Sequence, residues 1–337
     1  MIDIADKAQL VQYLLDKDII KKDSDYFIKY CKGGVSGTVV YLKVDGKEMI
    51  VKQALAQLKT KETWLCDPNR MFTEQESNRI YHEILPTASP EVYFYDGDNY
   101  IYCREAIPDG CDMWKSDLMT GKLDFECARK SIEILALVHN HCSRDKRVAE
   151  IFDNKDIFYS LRISPYLEFT SAKHPALESI FTQYSKKLMD SKLTLIHGDF
   201  SPKNIMVNGR DISVLDFEVA HYGHPMFDMA FFANHFVLKS IRFPELKDAF
   251  LNMLLYMCHI YFKNIDFTDA KELELDSVRL LALLMLARVD GKSPVEYIKE
   301  DEMKEVVRTI AYKIIENNLS TFDEVAKLII SLTRRDI

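Results

Sequence analysis

Apolar and polar residues alternate in short runs over the first hundred positions and recur at three- and four-residue spacing over the rest. The early runs Tyr26–Cys31, Thr38–Val44 and Glu48–Lys52 are rich in β-branched and aromatic residues and predict three strands. Gly33-Gly34 separates the first two, and Asp45-Gly46, a hairpin dipeptide, separates the last two. A helix is expected from about Thr73 to Leu85, stopped by Pro86. Two more strands follow, Glu91–Tyr95 and Tyr100–Ala106, joined by Asp96-Gly97-Asp98. Beyond Pro108 helical spacing recurs over 125–142, 175–190, 227–242, 245–264, 271–288, 300–316 and 320–333. A β-like interruption, Leu193–Ile196 and Ile205–Val207 with Ile212–Leu215, lies inside this helical stretch. The expected fold is α+β and two-lobed. A small antiparallel sheet with one helix occupies residues 1–107, and a larger helical lobe with a small β insert occupies 108–337.

Composition narrows the class. At 337 residues the chain exceeds one small core, and nearly half of it is apolar, as in a globular protein. The formal net charge of −8 argues against a nucleic-acid partner, whose phosphates call for a basic face. Leu280–Ala287, the longest apolar run, is too short to cross a bilayer, and the first residues lack the basic and apolar regions of a signal peptide. Seven cysteines without a CxxC pair fit reduced thiols. The expectation is a soluble cytoplasmic protein without a membrane partner; the sequence leaves its oligomeric state open.

The densest reactive cluster is Ile196-His197-Gly198-Asp199-Phe200-Ser201-Pro202-Lys203-Asn204, followed twelve residues after Asn204 by Asp216-Phe217-Glu218. Asp199 leaves a short strand, Asn204 precedes a second, and Asn208-Gly209 turns the chain so that a third ends at Asp216. That hairpin is expected to gather Asp199, Asn204 and Asp216 at one end. Hard oxygen ligands so placed suit Mg²⁺ held with a nucleotide's phosphates, and a further carboxylate suits a base that orients a substrate hydroxyl.

HGDxxxxN followed by DxE resembles the aminoglycoside phosphotransferase and choline kinase superfamily, which shares the protein-kinase fold. The resemblance implies ATP and Mg²⁺ as cofactors and a small hydroxylated molecule as substrate. By position, Asp199 matches the catalytic base, Asn204 and Asp216 the Mg²⁺ ligands, and Glu218 a further carboxylate near the metal. His197 and Gly198 match structural support of the loop. Gly223-His224-Pro225-Met226-Phe227-Asp228-Met229-Ala230 resembles the family's GDPxxDLA segment, in which the aspartate braces the catalytic loop, so Asp228 is read as structural. His224 departs from the usual Asp.

A nucleotide clamp is then expected upstream. Gly33, Gly34, Ser36 and Gly37 form a Gly-rich loop between two strands, where backbone amides can lie close to phosphates. Lys52, in the third strand, matches the lysine that contacts the α- and β-phosphates. Its expected acidic partner is Glu76, which shares a helical face with Ile80 and Ile84; Glu74 is the second candidate. Thr73-x-x-Glu76 also reads as a capping box that would occupy Glu76 at the helix start. Arg104, Glu105, Ala106 and Ile107 stand where the resemblance implies backbone contacts to adenine.

Val51–Leu55, the segment with Trp64 and Arg70, Pro90–Tyr93 and Leu195–Asp199 resemble the methylthioribose kinases within that superfamily. Those enzymes carry paired arginines that grip the substrate, and the matching positions here are Leu281-Ala282. Loss of both charges counts against the same substrate. Net acidity is compatible with polycationic aminoglycosides without selecting them, and the sequence does not place the aromatic residues a choline cage would use. A protein kinase is disfavoured by HGD in place of HRD and by the lack of an APE-ended segment. A nucleotide-binding regulator without turnover is the reading from another class. His221-x-x-His224 lacks the helix and Glu of a zinc motif and reads as loop histidines, and His139-Asn140-His141 reads as helix-end histidines.

Overall fold

Asp45 and Gly46 both take positive φ, +48° and +85°, the pair of angles a two-residue type I′ turn needs. They fold β2 (Gly37–Val44) back onto β3 (Lys47–Ala54) with Val44 opposite Lys47. This is a computed structural model, and it describes residues 2–31, 37–55, 67–108, 110–209 and 211–333. The chain divides into two compact units: Met1–Cys111 together with Asp216–Glu218, and Asp112–Leu215 with Val219–Ile337.

The first unit is built on an antiparallel sheet of five strands, adding β1 (Tyr26–Tyr30), β4 (Val92–Asp96) and β5 (Ile101–Glu105) in the order β1-β2-β3-β5-β4. A helix absent from the expected set, α1 (Lys7–Asp16), is capped by Asp6 and sets Leu10, Tyr13 and Leu14 against Val40, Leu42, Val51 and Cys103. The other face takes α2 (Arg70–Ile84). Because strand side chains alternate, Val51 belongs to the α1 side, whereas Lys52 and its register partner Tyr102 belong to the α2 side. The helix begins three residues before Thr73, behind Asn69, so no capping box forms there.

In the second unit β8 (Ile205–Asn208) and β9 (Asp211–Val214) make the expected hairpin through Gly209, at φ +57°, with β6 (Asp112–Met113) beside β8. A separate pair joins β7 (Thr194–Ile196) to β10 (His221–Gly223). The helix Met226–Arg242 buries every position except His235 and Arg242, and helices Lys247–Asn264 and Ala270–Asp290 pack along it. A helix buried on all sides has to be central. Tyr159–Glu168 is a π-helical segment containing Pro165; its wider winding leaves no 3.6-residue signature in the sequence. Among the described residues no helix is long and apolar enough to cross a membrane.

Candidate active site

Strand β3 delivers Lys52 to the α2 side of the sheet, where its ammonium lies 2.6 and 2.8 Å from the two Glu74 oxygens and 3.2 Å from Asp216. The Tyr102 hydroxyl donates to the same Glu74 carboxylate at 2.9 Å. Burial alone would lower the Lys52 pKa; the charges of Glu74, Asp216 and Glu218 outweigh it and hold the value well above that of a free lysine. The partner is therefore Glu74, not Glu76. Successive helical residues are turned by about 100°, so Glu76 lies on nearly the opposite side of the helix from the buried face that carries Met71, Glu74, Asn78 and Tyr81. Glu76 accepts from Gln75 instead.

Asp216 takes φ +68°, a left-handed angle that aspartate tolerates better than most residues. Glu218 pairs with the buried Arg70 at 3.2 Å, and Phe217 packs on Tyr81 with centroids 4.6 Å apart, so the two residues that follow this Asp are both anchored on α2. One carboxylate oxygen each from Glu74, Asp216 and Glu218 lie within 4.8 Å of one another. Burial first, then the neighbouring Asp216 charge, pushes Glu218 up to about 7 against the pull of Lys52. A close set of hard oxygen donors with one carboxyl reluctant to ionise suits a divalent cation.

Gly33, Gly34 and Ser36 of the Gly-rich loop lie outside the described residues, as does Trp64. Gly37 opens β2, and a Cβ there would meet the Gln53 carbonyl oxygen at 2.7 Å. In the expected adenine segment, the Glu105 amide donates to Glu91 O and the Ala106 amide to Glu48 O, so the sheet already uses both. Arg104 is held against the backbone by donating to Glu105 O.

The second unit carries the HGD loop. Asp228, fully buried on the helix Met226–Arg242, accepts the His197 amide at 2.7 Å and the Gly198 amide at 2.9 Å. The His139 ring bridges Asp228 and the Tyr261 hydroxyl. Burial by itself would raise the Asp228 carboxyl, but the hydrogen bond from His139 and the loop amide hold it below the ordinary value. The His197 ring donates to Leu215 O and accepts the Asp199 amide, both at 3.2 Å. Gly198 sits at φ +74°, and a Cβ there would lie 2.6 Å from Val219 O. The Asp199 carboxylate faces Arg162 at 3.2 Å and Lys203 at 2.8 Å, and accepts from the Asn204 amide at 3.0 Å. Leu215, just before Asp216 in the chain, donates its amide to Asn204 O at 2.9 Å.

Residues 28–255 match the model of the Phosphotransferase enzyme family. The chain belongs to this family. Methylthioribose kinase from Bacillus cereus is 25% identical over 281 residues, covering 75% of this chain and 70% of the relative, and that of Bacillus mycoides is 24% identical over a similar span. Among solved structures, Plasmodium vivax ethanolamine kinase has TM-score 0.53 at 13% identity, covering 98% of this chain and 88% of its own. A choline/ethanolamine kinase family protein from Mesorhizobium loti has 0.52 at 13%, covering 96% and 98%. These likenesses are of fold, and they agree with the two-lobed α+β reading.

Several residues of this phosphotransferase that matter to the site were not singled out in the sequence. Arg162 donates to Gly198 O at 2.7 Å besides facing Asp199, yet it lies in the π-helical segment, outside any motif. Tyr102 supports Glu74 from a position that reads as ordinary strand, and Arg70, named above only within a segment of resemblance, supports Glu218. His139 lies in the last turn of its helix, as expected, and is buried against Asp228. His224 lies in a loop, as expected, but both it and His221 are buried, and burial pushes both down to about 4. His221 lies in β10, stacked on Phe158. Charge patterning alone gives no sign of these, because each owes its role to a partner distant in sequence.

Proposed function

We propose that this protein is an ATP-dependent, Mg²⁺-requiring kinase that phosphorylates a hydroxyl group of a small molecule. The observation that carries the reading is the buried lysine held by one carboxylate of α2 and facing the Asp-Phe-Glu aspartate. Lys52 is kept protonated and extended, a fixed positive charge for phosphate oxygens. Asp216 and Glu218 are the proposed cation ligands of the first unit. In the second, Asn204 spends its NH₂ on Asp199 and keeps its Oδ1 for a cation. Mg²⁺–ATP, when bound, supplies the electrophilic γ-phosphoryl group and neutralises its developing charge.

Asp199 is the proposed base. Arg162, Lys203 and Asn204 fix its carboxylate, so it meets an acceptor hydroxyl without reorganising. The bond from the γ-phosphorus to the ADP oxygen breaks, a bond to the acceptor oxygen forms, and the hydroxyl proton passes to Asp199 and on to solvent. Identity as a methylthioribose kinase receives less support. Leu281 and Ala282, at the positions of the paired arginines, are fully buried in the helix Ala270–Asp290.

Asp199→Ala is expected to lower substrate-stimulated ADP release by at least ~10³-fold while nucleotide binding persists, since positioning and general-base assistance are both removed. ADP release that survives in this variant overturns the assignment. Slow ATP hydrolysis in the wild type that no hydroxylated compound stimulates would instead fit a nucleotide-binding regulator.

A further inference from the structure

A cavity of about 230 Å³ in the second unit has Asp199 and Lys203 in one wall, with Lys115, Lys239, Arg288 and Glu296 in the others. Two of its four cations are already matched: Lys203 lies 2.8 Å from Asp199, and Lys115 is paired with Glu296. Among the described residues Lys239 and Arg288 have no such match. Lys239, on the helix Met226–Arg242, is 0% exposed, and its ammonium meets the His235 carbonyl, at 3.4 Å, and the face of Tyr297, at 5.1 Å. Arg288 donates to neutral oxygens, the Tyr166 hydroxyl at 3.1 Å and Ser293 Oγ at 3.0 Å, and its buried Nε has no hydrogen-bond partner. The buried Tyr297 hydroxyl in the same wall is also without one. Among the described residues neither cation forms an ion pair with a carboxylate.

A buried ammonium without a counter-charge is a costly feature that a purely structural core would replace with methionine or leucine. Burial, with Lys115 and Arg288 adding repulsion that Glu296 only partly offsets, lowers the Lys239 pKa to about 7. An anion in the cavity would satisfy both cations and the two unpartnered donors at once. A polycationic or quaternary-amine substrate would meet like charge there. The cavity volume lies below the ~300–1,000 Å³ of drug-sized sites, which suits a small acid better than a multi-ring antibiotic.

We propose that the acceptor is a small anionic molecule that carries a carboxylate or phosphate group beside its hydroxyl, with Lys239 and Arg288 binding the charged group while Asp199 takes the hydroxyl. This rests on the kinase reading above and narrows its substrate class. The test is ADP release with matched compounds: glycerate, glycerol 3-phosphate and ribose 5-phosphate against methyl glycerate, glycerol, ribose, choline and kanamycin. Expected is at least tenfold greater stimulation by an anionic member than by its neutral counterpart, the carboxylate and phosphate arms deciding which group is used. Lys239→Met and Arg288→Met should each raise KM for that compound tenfold or more and leave KM for ATP unchanged. Equal or greater stimulation by neutral or cationic members, or an unchanged KM in both variants, overturns the proposal. If no compound stimulates ADP release, the kinase reading fails, and inorganic phosphate then decides the anion site separately. Thermal protection by phosphate that both variants lose sustains it, and absence of that protection overturns it.

Discussion

Glu74 serves Lys52 and Tyr102 together, and all three are buried, so its removal strands an ammonium and a hydroxyl at once. Glu74→Ala is expected to destabilise the protein by about 3 kcal/mol, the scale for breaking a buried pair from one side. Glu76→Ala, at a half-buried residue bonded among the described residues to Gln75, should stay within about 0.5 kcal/mol. Urea unfolding of the two variants separates the candidates, and the reverse order of costs would refute the pairing. Lys239 presents the opposite case. Its folded pKa of about 7 lies below the 10.5 of the free side chain, so between those values the unfolded chain binds more protons than the folded one. The penalty is complete below pH 7 and fades as pH rises towards 10. The other titratable groups that line its cavity are Lys115, Lys203, Arg288 and His235, the carboxylates of Asp199 and Glu296, and the phenols of Tyr166 and Tyr297. Lys239→Met is therefore expected to be more stable than the wild type by on the order of 2 kcal/mol near pH 6, with the gap narrowing at pH 9. Denaturant unfolding at the two pH values checks both the sign and the trend.

At the scale of elements, loop and strand junctions bear the tightest constraints. Gly46 and Gly198 both have positive φ, but only the second is crowded: nothing lies within 4 Å of a Cβ at Gly46, whereas at Gly198 the Val219 carbonyl oxygen lies 2.6 Å away. Gly46→Ala should cost about 1 kcal/mol through backbone strain alone. Gly198→Ala should cost more than about 2 kcal/mol, because the HGD loop must shift as well, and ADP release should fall with it. Comparable melting temperatures for the two variants would contradict this account. Helix α2 illustrates why local pattern misleads here. Its most buried face carries Arg70, Glu74, Gln75 and Asn78 as well as apolar residues, so apolar spacing pointed to the face of Ile80 and Ile84. The polar residues are buried because they have partners elsewhere in the unit, Glu218, Lys52 and the Pro90 carbonyl among them.

For the molecule as a whole, net charge proved a poor guide to the site. A chain of net charge −8 holds two unmatched cations beside Asp199, because bulk charge averages over a solvated surface while a site depends on a few buried groups. If the first unit binds Mg²⁺–ATP as proposed, a concentration a hundredfold above Kd should raise the unfolding free energy by about 2.7 kcal/mol. Lys52→Met should abolish that gain. Thermal or denaturant unfolding with and without nucleotide measures it, and an equal gain in the variant would remove Lys52 from the nucleotide site. The strands, the Asp45-Gly46 turn, the hairpin after Asn204 and the order of sheet before helices were legible in the sequence, because turn chemistry and apolar period act between near neighbours. So was the motif set around Asp199, Asn204 and Asp216. The choice of Glu74 over Glu76, the bracing of Asp228 by His139, Arg162 beside Asp199 and the unmatched Lys239 and Arg288 were decided only by tertiary structure. Each depends on which side chain loses its water beside which distant partner, and that is set by packing of the folded chain rather than by spacing along it.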